Sequence, residues 1–272
     1  MRILFWNIQK KKLKDFVCLI TASTEADIVV LAEDATSDKE TLLALQTNVS
    51  QDFYRPGVIT KSGQRFHCFC RNLHLDLSET HKTKRTSVRN LHIGNHNILL
   101  VLVHGIDIRN NDSNHRQLFA KTLADELKFL QEEKRTNKFI LLGDFNMNPY
   151  EDGMITPLGL NAMMAKACVK RGFRTFLGKK YDFYYNPMWS LFGDNTNGPP
   201  GTIYNTSNQG PYGWSMLDQV IIHHSIVGLF DSVKILTEAG AESIVSSMGH
   251  PDVNKASDHF PILVNFREDN NE

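Results

Sequence analysis

The sequence predicts an α/β fold in which two mixed β-sheets pack face to face as a sandwich, with helices on the outside. Two observations support this prediction. Strand-like and helix-like segments alternate in the first part of the chain, whereas antiparallel-looking strand pairs fill the region from Val58 to His104. No repeat, linker or break in composition divides the 272 residues, so we expect a single domain spanning residues 1–272.

Apolar runs and a capping signal define the first four elements. The strand Arg2–Asn7 is short and apolar, and Ile28–Ala32 is apolar throughout, as expected where both faces of a sheet are covered. Between them, Lys12–Ser23 has apolar residues spaced for one buried helical face. Ser37 and Glu40 form a capping-box pattern that predicts the start of a second helix.

The middle of the chain predicts strands followed by a long helix. Strand patterns cover Val58–Asp76 and Ser87–His104. Ser113 is placed to cap a helix that reaches about Glu133, whose apolar stripe is typical of a helix with one buried face. The strand Phe139–Leu142 follows this helix.

The last part of the chain has fewer regular patterns. Asn161–Arg171 is predicted as a helix, and strands are predicted at Met216–His223 and Ser257–Asn265, with a weaker strand near Val233. Gly178–Trp214 is rich in glycine, asparagine, proline and aromatic residues and is predicted as a long loop. Loops of that length are usually functional or disordered, and the aromatic content argues against disorder.

The composition is ordinary for a globular protein, with 41% hydrophobic and 22% charged residues. The 30 basic and 30 acidic residues give a formal net charge of zero. No overall positive field therefore attracts long nucleic acids, and such a contact needs a local basic patch or a metal ion.

The sequence also bears on location and partners. No apolar run approaches the roughly 20 residues that cross a bilayer. The four cysteines form no CxxC pair, and Met1–Ile8 has the pattern of a core strand rather than a signal segment. We therefore expect free buried thiols, a cytoplasmic location, no membrane span and no obligate protein partner.

Asp144 and Asn146 follow the predicted strand Phe139–Leu142 after a single glycine. Because residues i and i+2 of a strand point to the same face, the two side chains are predicted to converge just past the strand end. There they can hold a metal ion or a phosphate, or orient and deprotonate a water. An Asx-turn is the structural alternative.

Three more polar residues stand at the ends of predicted strands. Glu33 offers a hard oxygen ligand suited to Mg²⁺ or Mn²⁺, with a solvated surface acid as the alternative. Asn7 ends the first strand, where a turn-forming asparagine is the alternative. His104 ends an apolar strand, where a hydrogen-bonded core histidine is the alternative.

Asp218 lies within an apolar segment, and because a buried unpaired charge is costly, it needs a partner. A histidine is the natural partner, as in acid–histidine pairs. Asp258 and His259 are adjacent near the C-terminus, and a histidine beside a carboxylate is a candidate acid, base or phosphate clamp. Because all these polar residues share a placement at strand ends, together they predict a site for phosphoryl transfer.

The order of these motifs resembles that of the endonuclease/exonuclease/phosphatase superfamily, which has the DNase I-like fold. The resemblance covers nearly the whole chain, and its most specific parts are G-D-F-N and the terminal S-D-H-x-P. The matching segments are Trp6-Asn7, Leu31-Ala32-Glu33, Val103-His104, Gly143-Asp144-Phe145-Asn146, Leu217-Asp218-Gln219-Val220 and Ser257-Asp258-His259-Phe260-Pro261.

The resemblance implies a divalent metal cofactor, Mg²⁺ or alternatively Mn²⁺. Glu33 would be its principal ligand, and Asn7 and Asp258 would line the same region. The bound metal would neutralise charge on the transition state and on the leaving oxygen.

The resemblance also implies the catalytic roles. Asp144 would activate or orient the attacking water, and Asn146 would hold the phosphate or the water. His259, oriented by Asp218, would contact the scissile phosphate. His104 would stabilise charge on the phosphate oxygens from the other side.

Substrate-binding residues are the least defined part of the resemblance. Arg71 is the candidate for the tyrosine or arginine that many relatives place on a middle strand. Tyr185, Trp189 and Trp214 lie in or beside the predicted loop, where aromatic rings can stack on bases, although a lid or a small subsidiary core is the alternative. A predicted turn carries a basic run that is either solvated or in contact with a nucleic-acid backbone, namely Lys82, Lys84, Arg85 and Arg89.

The leading hypothesis is a nuclease that acts on DNA or RNA by metal-assisted in-line attack of water on phosphorus. The second is a phosphatase or phosphodiesterase acting on a phosphoinositide, a sphingomyelin-like lipid or a small phosphoester. A third is a binding module that keeps the fold without catalysis. Two departures from the family pattern leave the substrate class open: Gly105-Ile106-Asp107 after His104, and glutamine at position 219.

Overall fold

In the computed structural model, the strands predicted from the sequence form two large β-sheets that are covered by helices. The structure describes residues 1–60, 63–107, 111–194, 197–207 and 212–268. The strands in chain order are β1 Arg2–Asn7, β2 Ile28–Ala32, β3 Phe66–Cys70, β4 Asp76–Lys82, β5 Thr86–Ile93, β6 His96–His104, β7 Phe139–Asp144, β8 Ala162–Met163, β9 Phe173–Phe176, β10 Lys179–Asp182, β11 Tyr184–Tyr185, β12 Ile203–Asn205, β13 Gly213–Ser215, β14 Asp218–His223, β15 Phe230–Ile235, β16 Glu238–Ala239, β17 Glu242–Ser243 and β18 Ile262–Phe266.

The helices are capped largely as the sequence predicts. Ser37 and Glu40 form the predicted capping box, whereas the long helix is capped by Asp112 rather than Ser113, because the Asp112 carboxylate accepts from the backbone N–H of His115. In the described part of the chain, no helix is both long and apolar enough to span a membrane. The α-helices are α1 Lys14–Thr24, α2 Asp38–Asn48, α3 Ser113–Lys134, α4 Asp152–Ile155 and α5 Lys166–Val169, and 3₁₀ helices occupy Leu73–Leu75, Pro187–Leu191 and His224–Leu229.

Both large sheets are mixed. The first has five strands in the order β15-β18-β1-β2-β3, and the second has seven in the order β4-β5-β6-β7-β14-β11-β8. In the first sheet β1 is parallel to β2 and antiparallel to β18, and in the second β7 is parallel to β6 and antiparallel to β14. These two mixed sheets with flanking helices confirm the predicted fold class.

The main core lies between the sheets, and helices cover their outer faces. In β1, Ile3 and Phe5 belong to the core between the sheets, whereas Leu4 and Trp6 pack with α1 and α2 on the other face. This alternation follows from the two-residue period of a strand. The outer face of the second sheet packs against α3 through Leu123, Leu127 and Leu130.

Two sequence predictions in the second half of the chain are wrong in detail: the helix Asn161–Arg171 and the continuous loop Gly178–Trp214. Asn161–Arg171 is not one helix, because Ala162 and Met163 pair in parallel with β11, and only α5 remains helical. Asn161 has a φ of +50° and donates from Nδ2 to the carbonyl oxygens of Tyr181 and Asp182, which ends any helix there.

The predicted loop Gly178–Trp214 contains short strands and a 3₁₀ helix, and its residues 195–196 and 208–211 lie outside the described residues. All four cysteines are free, and three are buried as expected, whereas Cys168 is exposed.

Candidate active site

Three polar residues lie side by side where adjacent strands of the second sheet end. His104 is the last residue of β6, Asp144 is the last of β7, and Asp218 is the first of β14. The strand register places Asp144 opposite both His104 and Asp218. Because opposed residues have Cβ atoms about 5 Å apart, the three strand ends form one row of buried polar side chains.

Two glycines allow these strand ends to approach. At Gly143, φ is +154° and an added Cβ would overlap the carbonyl oxygen of Val103. At Gly105, an added Cβ would overlap the carbonyl oxygen of Phe145. Any larger residue would push β6 and β7 apart, so glycine is needed here on steric grounds.

The first sheet contributes Asn7 and Glu33 from neighbouring strand ends. Asn7 ends β1 beside Ala32, the last residue of β2, and Glu33 follows with a φ of +53°. A left-handed conformation is uncommon for glutamate, and such residues concentrate at functional sites. The backbone N–H of Lys10 donates to the Glu33 carbonyl oxygen at 2.7 Å, which helps to hold this conformation.

Asp144 is held by hydrogen bonds from both sheets. The Nδ2 atom of Asn7 donates to Asp144 Oδ2 at 3.1 Å, and the backbone N–H of Asn146 donates to Oδ1 at 2.9 Å. Asn146 has a φ of +51°, so it is not in the strand, and the predicted convergence of the two side chains by strand geometry is wrong. Burial raises the pKa of Asp144 from 3.8 to about 7; the Asp218 charge adds to this rise, and the His259 charge opposes it.

Asp218 and His259 form a buried acid–histidine pair. His259 Nδ1 lies 2.7 Å from Asp218 Oδ2, which confirms the prediction that Asp218 has a histidine partner. Burial by itself would lower the pKa of His259, but the Asp218 carboxylate raises it from 6.5 to about 10. The pair therefore holds an imidazolium whose Nδ1–H donates to Asp218 and whose Nε2–H remains for a ligand.

Backbone contacts position this pair. The indole N–H of Trp6 donates to the carbonyl oxygen of His259 at 2.8 Å. The Ser257 hydroxyl donates to the Asn7 carbonyl oxygen at 2.7 Å and accepts from the backbone N–H of His259 at 3.1 Å. Thr202 Oγ1 lies 3.2 Å from the backbone N–H of Asp218. Sequence reasoning missed Thr202, which no motif marks.

His104 faces Glu33 across the gap between the sheets, with 3.4 Å between His104 Nε2 and Glu33 Oε1. Burial, together with the nearby guanidinium groups of Arg65 and Arg85, lowers the pKa of His104 from 6.5 to about 4. His104 is therefore neutral at physiological pH. Sequence reasoning missed Arg65, because only the pairing of β3 with β2 brings it near His104.

Asp258 is held by a residue that the motifs did not mark. Gln9 Nε2 donates to Asp258 Oδ2 at 2.7 Å, and Gln9 has a φ of +52°. The other oxygen, Asp258 Oδ1, lies 3.9 Å from His259 Nε2. Asp258 is therefore part of the same cluster as the acid–histidine pair.

Two sets of side chains come into question as metal ligands. Asp144, Asp218 and His259 each offer a ligand atom, all within 4.8 Å of one another, but the 2.7 Å hydrogen bond between Asp218 and His259 leaves no space for an ion between them. The residues that the family resemblance assigns to the metal, Asn7, Glu33 and Asp258, offer only oxygen ligands, and Asn7 Oδ1 already accepts from the backbone N–H of Gln9 at 3.1 Å. This donor set fits a hard divalent cation such as Mg²⁺.

Two predicted substrate residues lie away from the cluster. Arg71 follows β3, and because β3 is antiparallel to β2, Arg71 is at the sheet edge opposite Glu33, where it pairs with Asp27 at 3.3 Å. Tyr185 is buried in the core between the sheets and packs edge-on against Phe230 at 5.6 Å. The prediction that these two residues contact substrate is not supported.

The two tryptophans differ in their placement. Trp189 lies in the 3₁₀ helix Pro187–Leu191, and its indole N–H is buried without a hydrogen-bond partner among the described residues. Trp214 stacks on Phe260 with 6.2 Å between ring centroids, and Phe260 is the residue that follows His259 in the chain. Tyr204 and His250 pack with Trp214 and form an aromatic wall with it, and a backbone bridge between Ile203 and His259 places this wall next to the segment that carries His259.

The basic run is divided between two environments. Lys84 and Arg85 lie in the turn between β4 and β5, and Arg85 Nη1 donates to the Gly105 carbonyl oxygen at 2.7 Å, next to His104. Lys82 ends β4. Arg89 is on β5 and buried beside Glu79, because its side chain points toward the core, so the prediction that it lies in the turn is wrong.

The fold and this cluster together define a class of protein: a mixed β-sandwich with a carboxylate- and histidine-lined site at one edge of both sheets. The Endonuclease/Exonuclease/phosphatase family matches residues 4–259, and the chain belongs to this family. Its members are phosphoester hydrolases. No match was found among curated protein sequences.

Solved structures of low sequence identity share the fold. The 3' phosphatase NExo (D146N) from Neisseria, bound to a product DNA hairpin, is 17% identical with a TM-score of 0.59, and the match covers 98% of this chain and 99% of that one. Truncated TDP2 from Caenorhabditis elegans is 19% identical with a TM-score of 0.57, covering 97% and 96%. The endonuclease domain of TRAS1, a telomere-specific non-LTR retrotransposon, is 14% identical with a TM-score of 0.55, covering 98% of both chains. These similarities establish a DNase I-like fold.

Proposed function

We propose that residues 1–272 form one catalytic domain that hydrolyses phosphodiesters with a divalent metal ion, and that its substrate is DNA or RNA. The observation that carries the proposal is the row of His104, Asp144 and Asp218 at the strand ends of the second sheet. It meets Asn7, Glu33 and His259 from the first sheet, through the Asn7–Asp144, His104–Glu33 and Asp218–His259 contacts. This arrangement combines a carboxylate with a pKa near neutrality, a fixed imidazolium and a set of oxygen ligands in one place.

Asp144 is the proposed acceptor of the proton of the attacking water. Its pKa of about 7 makes it a competent base near neutral pH, because a general base works best when its pKa lies close to the operating pH. The Asn7 amide and the Asn146 backbone N–H fix the carboxylate in one orientation. Asn146 itself is partly exposed beside this carboxylate, where its side chain is proposed to hold the water or a phosphate oxygen.

His259 is the proposed donor to the scissile phosphate. With Nδ1 hydrogen-bonded to Asp218, the imidazolium presents Nε2–H to a phosphate oxygen that gains charge during the reaction. A preoriented donor of this kind contributes roughly 100-fold or more to the rate. His104, neutral and opposite Glu33, is the proposed second donor to the phosphate.

Glu33, Asn7 and Asp258 would hold the metal ion, Mg²⁺ or alternatively Mn²⁺. When bound, such an ion supplies positive charge against the phosphate oxygens and the leaving group. Gln9 keeps the Asp258 carboxylate oriented through its 2.7 Å hydrogen bond. The left-handed backbone of Glu33 directs that residue out of the line of β2 and toward His104.

The aromatic wall supports a nucleic acid as the substrate. Ile203, next to Tyr204, forms a backbone bridge with His259, and Trp214 stacks on Phe260, the residue after His259. The rings of the wall are therefore proposed to stack on a base next to the scissile phosphate. Arg65 and Arg85 lie near His104 and add positive charge at the other side of the site. The DNA hairpin in the structure of NExo is consistent with this choice.

A hydrolysis panel tests the proposal. The substrates are single- and double-stranded DNA, RNA, a phosphoinositide and bis(p-nitrophenyl) phosphate, each with Mg²⁺, with Mn²⁺ and with a chelator. We expect chelator-sensitive cleavage of a nucleic acid by the unmodified protein, and a loss of about 100-fold or more in Glu33→Gln and His259→Ala.

Two surface substitutions serve as controls. Glu132→Gln and His115→Ala change the same residue types on the exposed face of α3 and are expected to keep full activity. Near-normal turnover in Glu33→Gln and His259→Ala would disprove the site assignment. Hydrolysis of the phosphoinositide or the small ester alone would disprove the choice of nucleic acid and favour a phosphatase.

A further inference from the structure

A second cluster of metal-binding side chains lies at the other end of β14. Asp182 ends β10, His223 ends β14, and His224 begins the following 3₁₀ helix. Each offers one ligand atom, and these atoms lie within 4.8 Å of one another. Because β14 begins at Asp218 and ends at His223, roughly 17 Å of strand separates this cluster from the candidate active site.

The spacing within this cluster differs from that of the acid–histidine pair in the active site. Asp218 and His259 are 2.7 Å apart, as in a direct charge-assisted hydrogen bond, whereas Asp182 Oδ2 and His223 Nε2 are 3.4 Å apart. Ligand atoms that bind one ion tetrahedrally with bonds of about 2.0–2.2 Å are separated by about 3.3–3.6 Å. The Asp182–His223 distance therefore matches two ligands of a common ion.

The hydrogen bonds of His223 allow Nε2 to act as a ligand. Nδ1 lies 2.8 Å from Ser225 Oγ, and that hydroxyl lies 3.2 Å from the carbonyl oxygen of Asn137. If the hydroxyl donates to this carbonyl, Nδ1–H donates to the hydroxyl and the Nε2 lone pair faces Asp182. A second-shell acceptor of this kind fixes the tautomer of many metal-bound histidines. In the other tautomer, Nδ1 accepts from the Ser225 backbone N–H at 3.2 Å.

The cluster has both a rigid base and an open side. The His223 side chain is 1% exposed, and the backbone N–H of His224 donates to the Phe183 carbonyl oxygen at 3.0 Å, which fixes the chain next to Asp182. The Asp182 side chain is 35% exposed and borders a cavity of about 280 Å³ between α3 and β10. Asp182 is the member of the cluster that lines this cavity, so an ion would enter past its carboxylate and keep a water as its fourth ligand.

We propose that Asp182, His223 and His224 bind one Zn²⁺ ion, or a similar divalent transition-metal ion. Two imidazole nitrogens with one carboxylate are a zinc-type ligand set, whereas the oxygen ligands of the candidate active site suit Mg²⁺. The ion would link the end of β10 to the junction of β14 with the 3₁₀ helix, so it stabilises this edge of the second sheet and takes no part in hydrolysis.

Two titrations test this proposal. Co²⁺ reports tetrahedral coordination by its visible absorption, and Zn²⁺ binding is measured by calorimetry. The protein is first freed of metal and then saturated with Mg²⁺ to fill the proposed site of Asn7, Glu33 and Asp258. We expect one equivalent of Zn²⁺ to bind, a tetrahedral Co²⁺ spectrum and a rise in melting temperature with Zn²⁺. In Asp182→Asn and His224→Ala the affinity should fall roughly 100-fold.

Both substitutions are at partly exposed positions, and the control is Asp231→Asn, an exposed carboxylate on β15. Melting of each metal-free variant checks that it folds. Equal Zn²⁺ affinity in all variants would overturn the proposal, as would zinc binding that is lost in Glu33→Gln but kept in Asp182→Asn. Mg²⁺-dependent hydrolysis by Asp182→Asn should equal that of the unmodified protein, so this test is independent of the proposed function.

Discussion

Replacing Asp218 by asparagine should convert His259 from a cation to a neutral imidazole at neutral pH. The Asp218 carboxylate, 2.7 Å from His259 Nδ1, is the main reason that the pKa of His259 rises from 6.5 to about 10 against the effect of burial. A fall from about 10 to 6.5 corresponds to about 5 kcal/mol at 1.36 kcal/mol per pKa unit, and burial, no longer opposed by the Asp218 charge, would lower the pKa of His259 further. The asparagine keeps the size of the side chain and removes only its charge.

The expected effect on activity depends on pH. At pH 8 most of His259 would be neutral in Asp218→Asn, so Nε2 would offer a lone pair rather than a proton to the phosphate, and kcat/KM should fall roughly 100- to 1,000-fold. Once the pH falls below the lowered pKa of His259, the imidazole would be protonated again, and the deficit relative to the unmodified protein should shrink about tenfold.

The measurement is a profile of kcat/KM against pH from 5.5 to 9 with saturating Mg²⁺. An NMR titration of the His259 ring in the metal-free protein reports the pKa directly. Asp231→Asn is the matched control because Asp231 pairs with Arg267 at the surface, and its profile should not change. An equal deficit at every pH, or a His259 pKa that stays near 10 in Asp218→Asn, would refute the reasoning.

Three further predictions concern stability, and the first of them also concerns activity. Asp144→Asn should abolish activity and raise the free energy of unfolding at pH 8 by up to about 4 kcal/mol, the equivalent of a pKa rise from 3.8 to about 7 at 1.36 kcal/mol per unit. The native state binds this proton more tightly than the unfolded chain, so the unmodified protein loses stability as pH rises from 3.8 through about 7, and the neutral amide removes that loss. Urea unfolding of both proteins at pH 5 and pH 8 checks this. A stability gain of Asp144→Asn over the unmodified protein that is no larger at pH 8 than at pH 5 would contradict the prediction. Ser257→Ala should cost about 2 kcal/mol, since it leaves the buried N–H of His259 and the carbonyl of Asn7 without their partner, and Ser246→Ala is a more exposed control. Gly143→Ala should cost more than about 4 kcal/mol because its Cβ would overlap the Val103 carbonyl oxygen, and a soluble protein with an unchanged melting temperature would show that β6 and β7 are further apart than described.

Much of the site could be predicted from the sequence because its signals are local. The apolar runs of β1, β2, β6 and β7 place Asn7, Glu33, His104 and Asp144 at strand ends, and a strand end is a property of a few consecutive residues. The need of Asp218 for a histidine follows from the cost of a buried charge, which does not depend on the topology.

Other features depend on which strands become neighbours. The antiparallel pairing of β3 with β2 carries Arg71 to the far edge and Arg65 toward His104, although the two residues differ by only six positions. The pairing of β8 with β11 overrides the helical pattern that starts at Asn161. The left-handed backbone of Asn146 directs that residue away from the strand geometry predicted for it.

The sequence by itself therefore determined the strand segments, the polar residues at their ends and the type of chemistry those residues support. Only the tertiary structure decided which ends meet, in which direction each strand runs, and that Gln9 and Thr202 position Asp258 and Asp218. The physical reason is that strand pairing joins residues far apart in the chain, through backbone hydrogen bonds that are nearly independent of side-chain identity.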